Sequence, residues 1–218
     1  MTCGADTSER PQTLREELAN SICHGVALLA SIAALPILIT GAVRHGGVST
    51  VIGAGVFGST MLFLYLVSTI YHALPVGKTK RAFLVIDHCA IFLLIAGTYT
   101  PFTLGVLRGS WGWSLFGVVW GLAIFGILAK AVLGARYQGL SICLYLAMGW
   151  IVIVAAQPML SSVPLPGLLW LLAGGLAYTI GVAFFLLDSR VRYAHFVWHL
   201  FVVAGSFFHF VAVYWYAA

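Results

Sequence analysis

Charged residues are scarce in this chain of 218 residues, since only 8% are Asp, Glu, Lys or Arg while 61% are hydrophobic. An ordinary soluble domain carries roughly 25% charged residues, so this composition excludes a water-soluble globular protein of the usual kind. A chain this apolar needs lipid as its solvent. We therefore expect one compact membrane domain, with no room for a second domain.

Paired cysteines and a signal peptide are also lacking. No CxxC pair occurs among the four cysteines, which are Cys3, Cys23, Cys89 and Cys143. Three of the four lie in apolar stretches, which argues against a disulfide framework and is typical of small buried side chains. Residues 1–17 are polar and contain no apolar signal sequence. We expect them to form a short cytoplasmic segment and the first transmembrane helix to direct insertion.

Seven long apolar stretches fill the remainder of the chain, residues 18–218. Each is near the roughly 20 residues that a helix needs to span a bilayer. They are too long and too uniformly apolar for barrel strands, which alternate over about ten residues. The spans are predicted at 18–43, 48–74, 83–106, 111–133, 138–160, 164–187 and 194–217. The sequence thus predicts an all-α fold, a seven-transmembrane helix bundle.

Basic residues are distributed unevenly between the two sides of this bundle. The side of the N-terminus receives Arg10, Arg15, Lys78, Lys80, Arg81, Lys130, Arg136, Arg190 and Arg192. The other side receives only Arg44 and Arg108, so the positive-inside rule predicts a cytoplasmic N-terminus and an external C-terminus. Because the basic residues act as topology signals in short loops, the net charge of +5 indicates no nucleic-acid partner. We expect a multi-pass protein of the inner (plasma) membrane.

Ionisable side chains inside apolar spans are costly, which makes each of them a candidate for function. His195 and His199 are four residues apart in the seventh span. On a helix their rings face one way, one turn apart. This spacing offers two imidazoles to one metal ion, and histidines that only pack or hydrogen-bond can show it as well.

The predicted topology brings His72 and Asp87 to the same depth as this histidine pair. The second span ends near the cytoplasmic face, and the third and seventh spans start there. Three neutral imidazoles with an open fourth position are the arrangement of catalytic zinc. Asp87 could be a direct ligand, hold the metal-bound water, or cap its helix. Apolar sequence begins ahead of it at Ala82, so we favour holding water and transferring a proton over capping.

Four further polar residues in the spans have alternative interpretations. Ser68, one turn before the second-span histidine, could bond a substrate oxygen, a group that orients the ligands, or its own i−4 carbonyl. His88 is turned by about 100° from the preceding aspartate, so we expect it to bond a neighbouring helix. His24, near the cytoplasmic end of the first span, could line the space around the histidine pair. His209 lies about 15 Å deeper than the histidine pair and cannot share its ion.

Four motifs resemble those of the bacterial haemolysin III family, which belongs to the progestin and adipoQ receptor superfamily. They are Glu17–Gly25 (ELANSICHG), Ser68–His72 (STIYH), Asp87–Phe102 (DHCAIFLLIAGTYTPF), and His195–His199 (HFVWH) with His209. The resemblance covers nearly the whole chain from Glu16 onward. Cys23 departs from it, because the family often has Thr before the first-span histidine.

This resemblance implies a seven-helix bundle with a cytoplasmic N-terminus. It further implies zinc held by His72, His195 and His199, with Asp87 contacting the zinc-bound water and Ser68 as the serine of the second span. A wider grouping with the alkaline ceramidases shares the Ser, Asp and three-His pattern. That grouping implies hydrolysis of lipid amide bonds.

The leading hypothesis for function is a zinc-dependent hydrolase that acts on a lipid amide or ester within the bilayer and serves membrane lipid homeostasis. Its catalytic residues are Asp87 and Ser68. A membrane receptor or sensor with structural zinc is one alternative. A cytolytic pore-former, as the family name suggests, is another, although a pore needs a polar-lined helix and none of the spans has one. The expected partners are a membrane lipid and the bilayer itself.

Overall fold

A computed structural model of the chain describes residues 10–107, 109–134 and 138–217. Cys3, Arg108, Arg136 and the first part of the polar segment 1–17 lie outside the described residues. Regular structure within the described ranges is helical, and seven helical segments are long and apolar enough to cross a membrane. The predicted all-α fold with seven spans is therefore confirmed.

Eight helices make up these seven segments. They are α1 Leu14–His45, α2 Val48–Ala73, α3 Lys78–Leu104, α4 Gly109–Leu133, α5 Gln138–Trp150, α6 Ala156–Ser162, α7 Leu165–Leu186 and α8 Ala194–Tyr216. A short 3-10 segment, Ile151–Ala155, joins α5 to α6, and the three together form the fifth span, Gln138–Ser162. The observed spans match the predicted ones closely. The largest difference is at α3, which begins at Lys78 and not at residue 83.

α1 begins ahead of its predicted start because its first residues form a capping box. The Thr13 side chain accepts a hydrogen bond from the Glu16 N–H at 3.4 Å. In return, the Thr13 N–H donates to Glu16 Oε2 at 2.9 Å. This pair satisfies two backbone donors that a helix start otherwise leaves open. The helix consequently carries Glu16 and Glu17 in its first turn, where the helix dipole favours negative charge.

The fifth span is broken in its middle, which the sequence did not predict. The hydroxyl of Tyr99 lies 2.9 and 2.8 Å from the carbonyl oxygens of Met148 and Gly149. The same hydroxyl accepts the N–H of Val152 at 3.2 Å. A side chain inserted into the helical hydrogen-bond ladder is a recognised cause of a kink, because it replaces backbone partners. Tyr99 thus stabilises the 3-10 segment from the neighbouring α3.

The order of packing determines which spans meet at the centre. α2 packs between α1 and α3, while α8 packs on α7 and α1 and also touches α2 and α3. Small residues allow close approach: a Cβ atom at Gly53 would lie 2.7 Å from the Cα of Pro101, as expected for helix contacts in lipid. α8 therefore faces both α2 and α3, the helices that carry His72 and Asp87.

Candidate metal centre

Three histidines from two helices meet inside the bundle. His72 of α2 and His195 and His199 of α8 each offer a ring nitrogen, and these nitrogens all lie within 4.8 Å of one another. The ring of His72 is 5.2 Å from that of His195 and 4.9 Å from that of His199, centroid to centroid. His72 and His199 are buried. This three-histidine group, predicted from helical spacing and depth, could hold a metal ion.

His72 is oriented by a carboxylate. Its Nδ1 lies 2.7 Å from Oε2 of Glu17 on α1, and its Nε2 is buried without a hydrogen-bond partner. A carboxylate beside Nδ1 keeps the proton there, which leaves the lone pair on Nε2 free for a metal. The other oxygen of Glu17 pairs with Lys80 Nζ at 2.9 Å, so the carboxylate is held from two sides.

His195 has the same kind of support. Its Nδ1 lies 3.0 Å from Oδ2 of Asp188, in the segment between α7 and α8. The sequence did not mark either carboxylate as part of the site. Glu17 precedes His24 by seven residues and so shares its face of α1, which is a signal that could have found it. Asp188 lies outside any helix shared with His195, so no helical spacing points to it.

His199 has a ring partner in place of a carboxylate. The ring of His24 stacks on it with centroids 3.7 Å apart and planes inclined by 10°. Both ring nitrogens of His24 and Nδ1 of His199 are buried without hydrogen-bond partners. Buried polar atoms are nearly always paired, and a cluster of unpaired ones calls for an ion or water that binds them. The grouped nitrogens of the three histidines, with Nε2 of His72 unpaired, therefore fit a metal.

Asp87 and Ser68 lie at the edge of the three-histidine group. Asp87 is beside Ser68 and within electrostatic range of His195, but it is not one of the grouped ligands. α3 starts at Lys78 after the N-cap Gly77, so Asp87 does not cap the helix. The hydroxyl of Ser68 is buried and makes no bond to its own i−4 carbonyl, so the Asp87 carboxylate is the polar group beside it.

The start of α8, and with it the position of both its ligands, is fixed by Glu16. The Tyr193 N–H donates to Glu16 Oε1 at 2.8 Å. Tyr193 has a φ of 60°, a left-handed conformation that is uncommon for a bulky residue and must be imposed by its surroundings. Arg10 holds the same carboxylate with two hydrogen bonds of 2.8 and 2.6 Å. These contacts join residues 10–16 to the beginning of α8.

The two remaining histidines of the spans do not belong to the three-histidine group. His88 packs its ring 6.3 Å from that of Phe185, and its backbone carbonyl accepts the hydroxyl of Tyr145 at 2.8 Å. His209 packs beside Tyr178, with ring centroids 5.4 Å apart. The structure thus places both residues outside the three-histidine group, as predicted for His209, while the hydrogen bond expected from the His88 ring to a neighbouring helix stays a prediction.

A cavity of about 370 Å³ lies within the bundle, and its wall comes within one helical turn of the site. Most of its lining is apolar and comes from α3, the fifth span, α7 and α8. Its wall includes Leu64, one turn before Ser68, and Ile91, one turn after Asp87. It also includes Trp198, the residue before His199. An apolar space of this size with a few polar side chains in its wall is typical of a small-molecule site.

Comparison with known proteins finds relatives of this chain by sequence. A family described as Haemolysin-III related matches residues 12–210. Hemolysin-3 of Bacillus cereus is 44% identical over 205 residues, which are 94% of this chain and 93% of that protein. The Hemolysin-3 homolog of Bacillus subtilis (strain 168) is 42% identical over 204 residues, 94% and 95% of the two chains. The human Monocyte to macrophage differentiation factor is 29% identical over 174 residues, 76% and 70% of the two chains.

Proposed function

The chain belongs to the haemolysin-III-related family of multi-pass membrane proteins, and from this premise we propose that it is a zinc-dependent hydrolase of a lipid amide or ester. One observation carries the proposal. Three histidines, two of which carry a buried ring nitrogen without a hydrogen-bond partner, lie beside an aspartate and a buried serine hydroxyl, and an apolar cavity begins one helical turn away. Each component has a role in the cleavage of a carbonyl compound that carries a hydrocarbon chain.

The donor set favours zinc. Imidazole nitrogens suit zinc, and catalytic zinc sites use three protein ligands and keep a fourth position open. His72, His195 and His199 would hold the ion, while Glu17 and Asp188 keep the protons of two of these rings on Nδ1. When bound, zinc supplies Lewis-acid chemistry, which activates water near neutral pH and polarises a carbonyl group.

The residues around the ligands supply the remaining steps. Asp87 accepts a proton from the attacking water and returns it to the leaving amine or alcohol. The hydroxyl of Ser68, which lies beside Asp87, donates a hydrogen bond to the carbonyl oxygen as negative charge develops on it. The adjoining cavity holds the acyl chain and keeps bulk water away. The released product is a fatty acid, which connects the protein with membrane lipid homeostasis.

A turnover measurement tests this function. Zinc-loaded protein in liposomes is given a panel of amide and ester lipids, and released fatty acid is quantified, with a dye enclosed in the same vesicles. We expect release that stops when a chelator removes the metal, with no leakage of dye. Ligand binding without turnover would favour the receptor or sensor alternative. Leakage of dye would favour the cytolytic activity that the names of the Bacillus relatives suggest.

Removal of one supporting carboxylate should weaken metal binding without removing a ligand. We expect Glu17→Gln to lower zinc affinity about 10- to 100-fold, the usual effect of losing such a partner. The amide no longer attracts the proton of His72 Nδ1 as a carboxylate does. Chelator competition measures the affinity, and the visible spectrum of the cobalt(II)-substituted protein reports the ligand geometry.

Arg15→Gln is the matched control, because Arg15 is exposed in the same turn of α1 and contacts none of the three histidines. It should bind zinc as the unchanged protein does. Asp188→Asn should reproduce the loss through His195. An unchanged zinc affinity in both Glu17→Gln and Asp188→Asn would show that these carboxylates do not orient the ligands.

The orientation in the plasma membrane is part of the proposal. Nine of the eleven basic residues share a side with the N-terminus in the predicted topology, which places the three histidines near the cytoplasmic face. Reporter domains fused at Ser189 should therefore signal from the cytoplasm, and those fused at Ser162 from the exterior. A cytoplasmic signal from the Ser162 fusion would contradict this orientation.

A further inference from the structure

A second polar cluster lies away from the three-histidine group. It consists of Tyr178 on α7 and Ser206 and His209 on α8, and we call it the distal patch. The Tyr178 and Ser206 hydroxyl oxygens are 2.9 Å apart, and the rings of Tyr178 and His209 lie side by side. Tyr178 and His209 both line the apolar cavity. The cavity wall therefore has a polar region where no catalytic group is needed.

His209 is the member of the patch with an unpaired ring nitrogen, since its Nδ1 is buried without a partner. The threonines and tyrosines of the cavity wall are hydrogen-bonded within the protein. Thr98 donates to the carbonyl of Leu94 at 2.8 Å, and Tyr145 donates to that of His88 at 2.8 Å. An unpaired polar atom inside a membrane is costly and points to a missing partner.

Packing alone does not explain an imidazole at this position. The ring fits into the space that Gly174 leaves on α7, where an added Cβ atom would lie 2.6 Å from His209 Nε2. The ring also bonds the backbone of Leu171 on α7, the side that its Nε2 faces, and this contact accounts for one of its two nitrogens. Nδ1 is the nitrogen that remains without a partner, and the cavity that His209 lines is the space from which a ligand can approach the ring.

The location of the patch indicates where on a ligand this partner would be. His209 follows His199 by ten residues, which corresponds to about 15 Å along α8. That is about half of the roughly 30 Å hydrocarbon thickness of a bilayer, or the depth of one leaflet. A lipid with its carbonyl at the three histidines would extend its acyl chain through the cavity towards the distal patch.

We propose that the distal patch binds a hydroxyl group on the acyl chain, far from the carbonyl, and so makes the site selective for oxygenated lipids. A hydroxyl can donate to Nδ1 of His209 when that atom is unprotonated and accept from it when it carries the proton. Placing the carbonyl at the histidines rests on the proposed function, whereas recognition of the hydroxyl does not require turnover.

Equilibrium binding of fatty acids to the zinc-loaded protein in nanodiscs tests the proposal. The probes are saturated fatty acids of one chain length, either unsubstituted or hydroxylated near the carboxyl group, in mid-chain or towards the methyl end. Fatty acids contain no amide or ester bond to cleave, so binding is measured apart from hydrolysis. We expect a distal hydroxyl to tighten binding about five- to tenfold, the effect of one net hydrogen bond. A hydroxyl next to the carboxyl group should add nothing at the patch.

His209→Phe should abolish this preference and leave the affinity for the unsubstituted acid unchanged. Thr98→Val is the matched control, because it removes a cavity-lining hydroxyl that already bonds the protein, and it should keep the preference. Equal binding of all the acids by the unchanged protein, no binding of any of them, or a preference that survives in His209→Phe would overturn the proposal. A preference in a protein that cleaves no lipid would leave the patch intact and refute the hydrolase.

Discussion

Alanine at His72, His195 or His199 is expected to remove most of the bound zinc, from about one ion per chain to a small fraction of that. Each substitution takes away one of three imidazoles, and a pair of nitrogens cannot form the site that three form. Alanine at His72 or His195 also leaves Glu17 or Asp188 without its imidazole partner. Elemental analysis after a chelator wash measures the metal content of each variant.

His209→Phe is the control for this experiment, because it removes a buried histidine of α8 that lies outside the three-histidine group. It should retain the full amount of zinc. Far-UV circular dichroism of every variant shows whether the helices persist, so that metal loss is not confused with unfolding. Full zinc occupancy in His199→Ala would contradict the assignment of the ligands.

The spans and the convergence of the histidines were predictable, because they depend on the length of apolar runs, on helical spacing and on depth in the membrane. The length of an apolar run fixes a span, and spacing by four residues puts His195 and His199 on one face of α8. Counting spans from one membrane face then gives the depth of His72 and Asp87. No knowledge of how the helices rotate about their axes was needed for these steps.

Spacing alone places Glu17 on the His24 face of α1, but the partners of the supporting carboxylates were not predictable, because they depend on that rotation and on loop conformation. Glu17 and His72 are 55 residues apart, and Glu16 and Tyr193 are 177 apart. No periodicity in one helix reports which residue of another helix it will face. The break in the fifth span has the same origin, since it depends on where the Tyr99 hydroxyl of α3 arrives.

Replacement of Asp87 by asparagine should leave zinc and fold in place and reduce lipid hydrolysis by about 10²- to 10⁴-fold, the range typical of a lost general base. The amide has nearly the same size as the carboxylate and keeps its capacity to accept a hydrogen bond, but it cannot take up the proton. Fatty acid released from the best substrate of the lipid panel gives the rate, and elemental analysis confirms the metal.

The same substitution separates catalytic from structural zinc. Asp87 lies beside Ser68 and near His195 but outside the three nitrogens that would hold the ion, so a purely structural metal does not need its charge. In a receptor, Asp87→Asn should therefore be nearly silent in zinc content and in ligand affinity. In a hydrolase the zinc content and the hydrolysis rate must diverge, with zinc retained and the rate lost.

Ser68→Ala should also retain zinc and lose a part of the rate, because it removes one hydrogen bond to the developing oxyanion. Equal rates for Asp87→Asn and the unchanged protein would exclude Asp87 as the base.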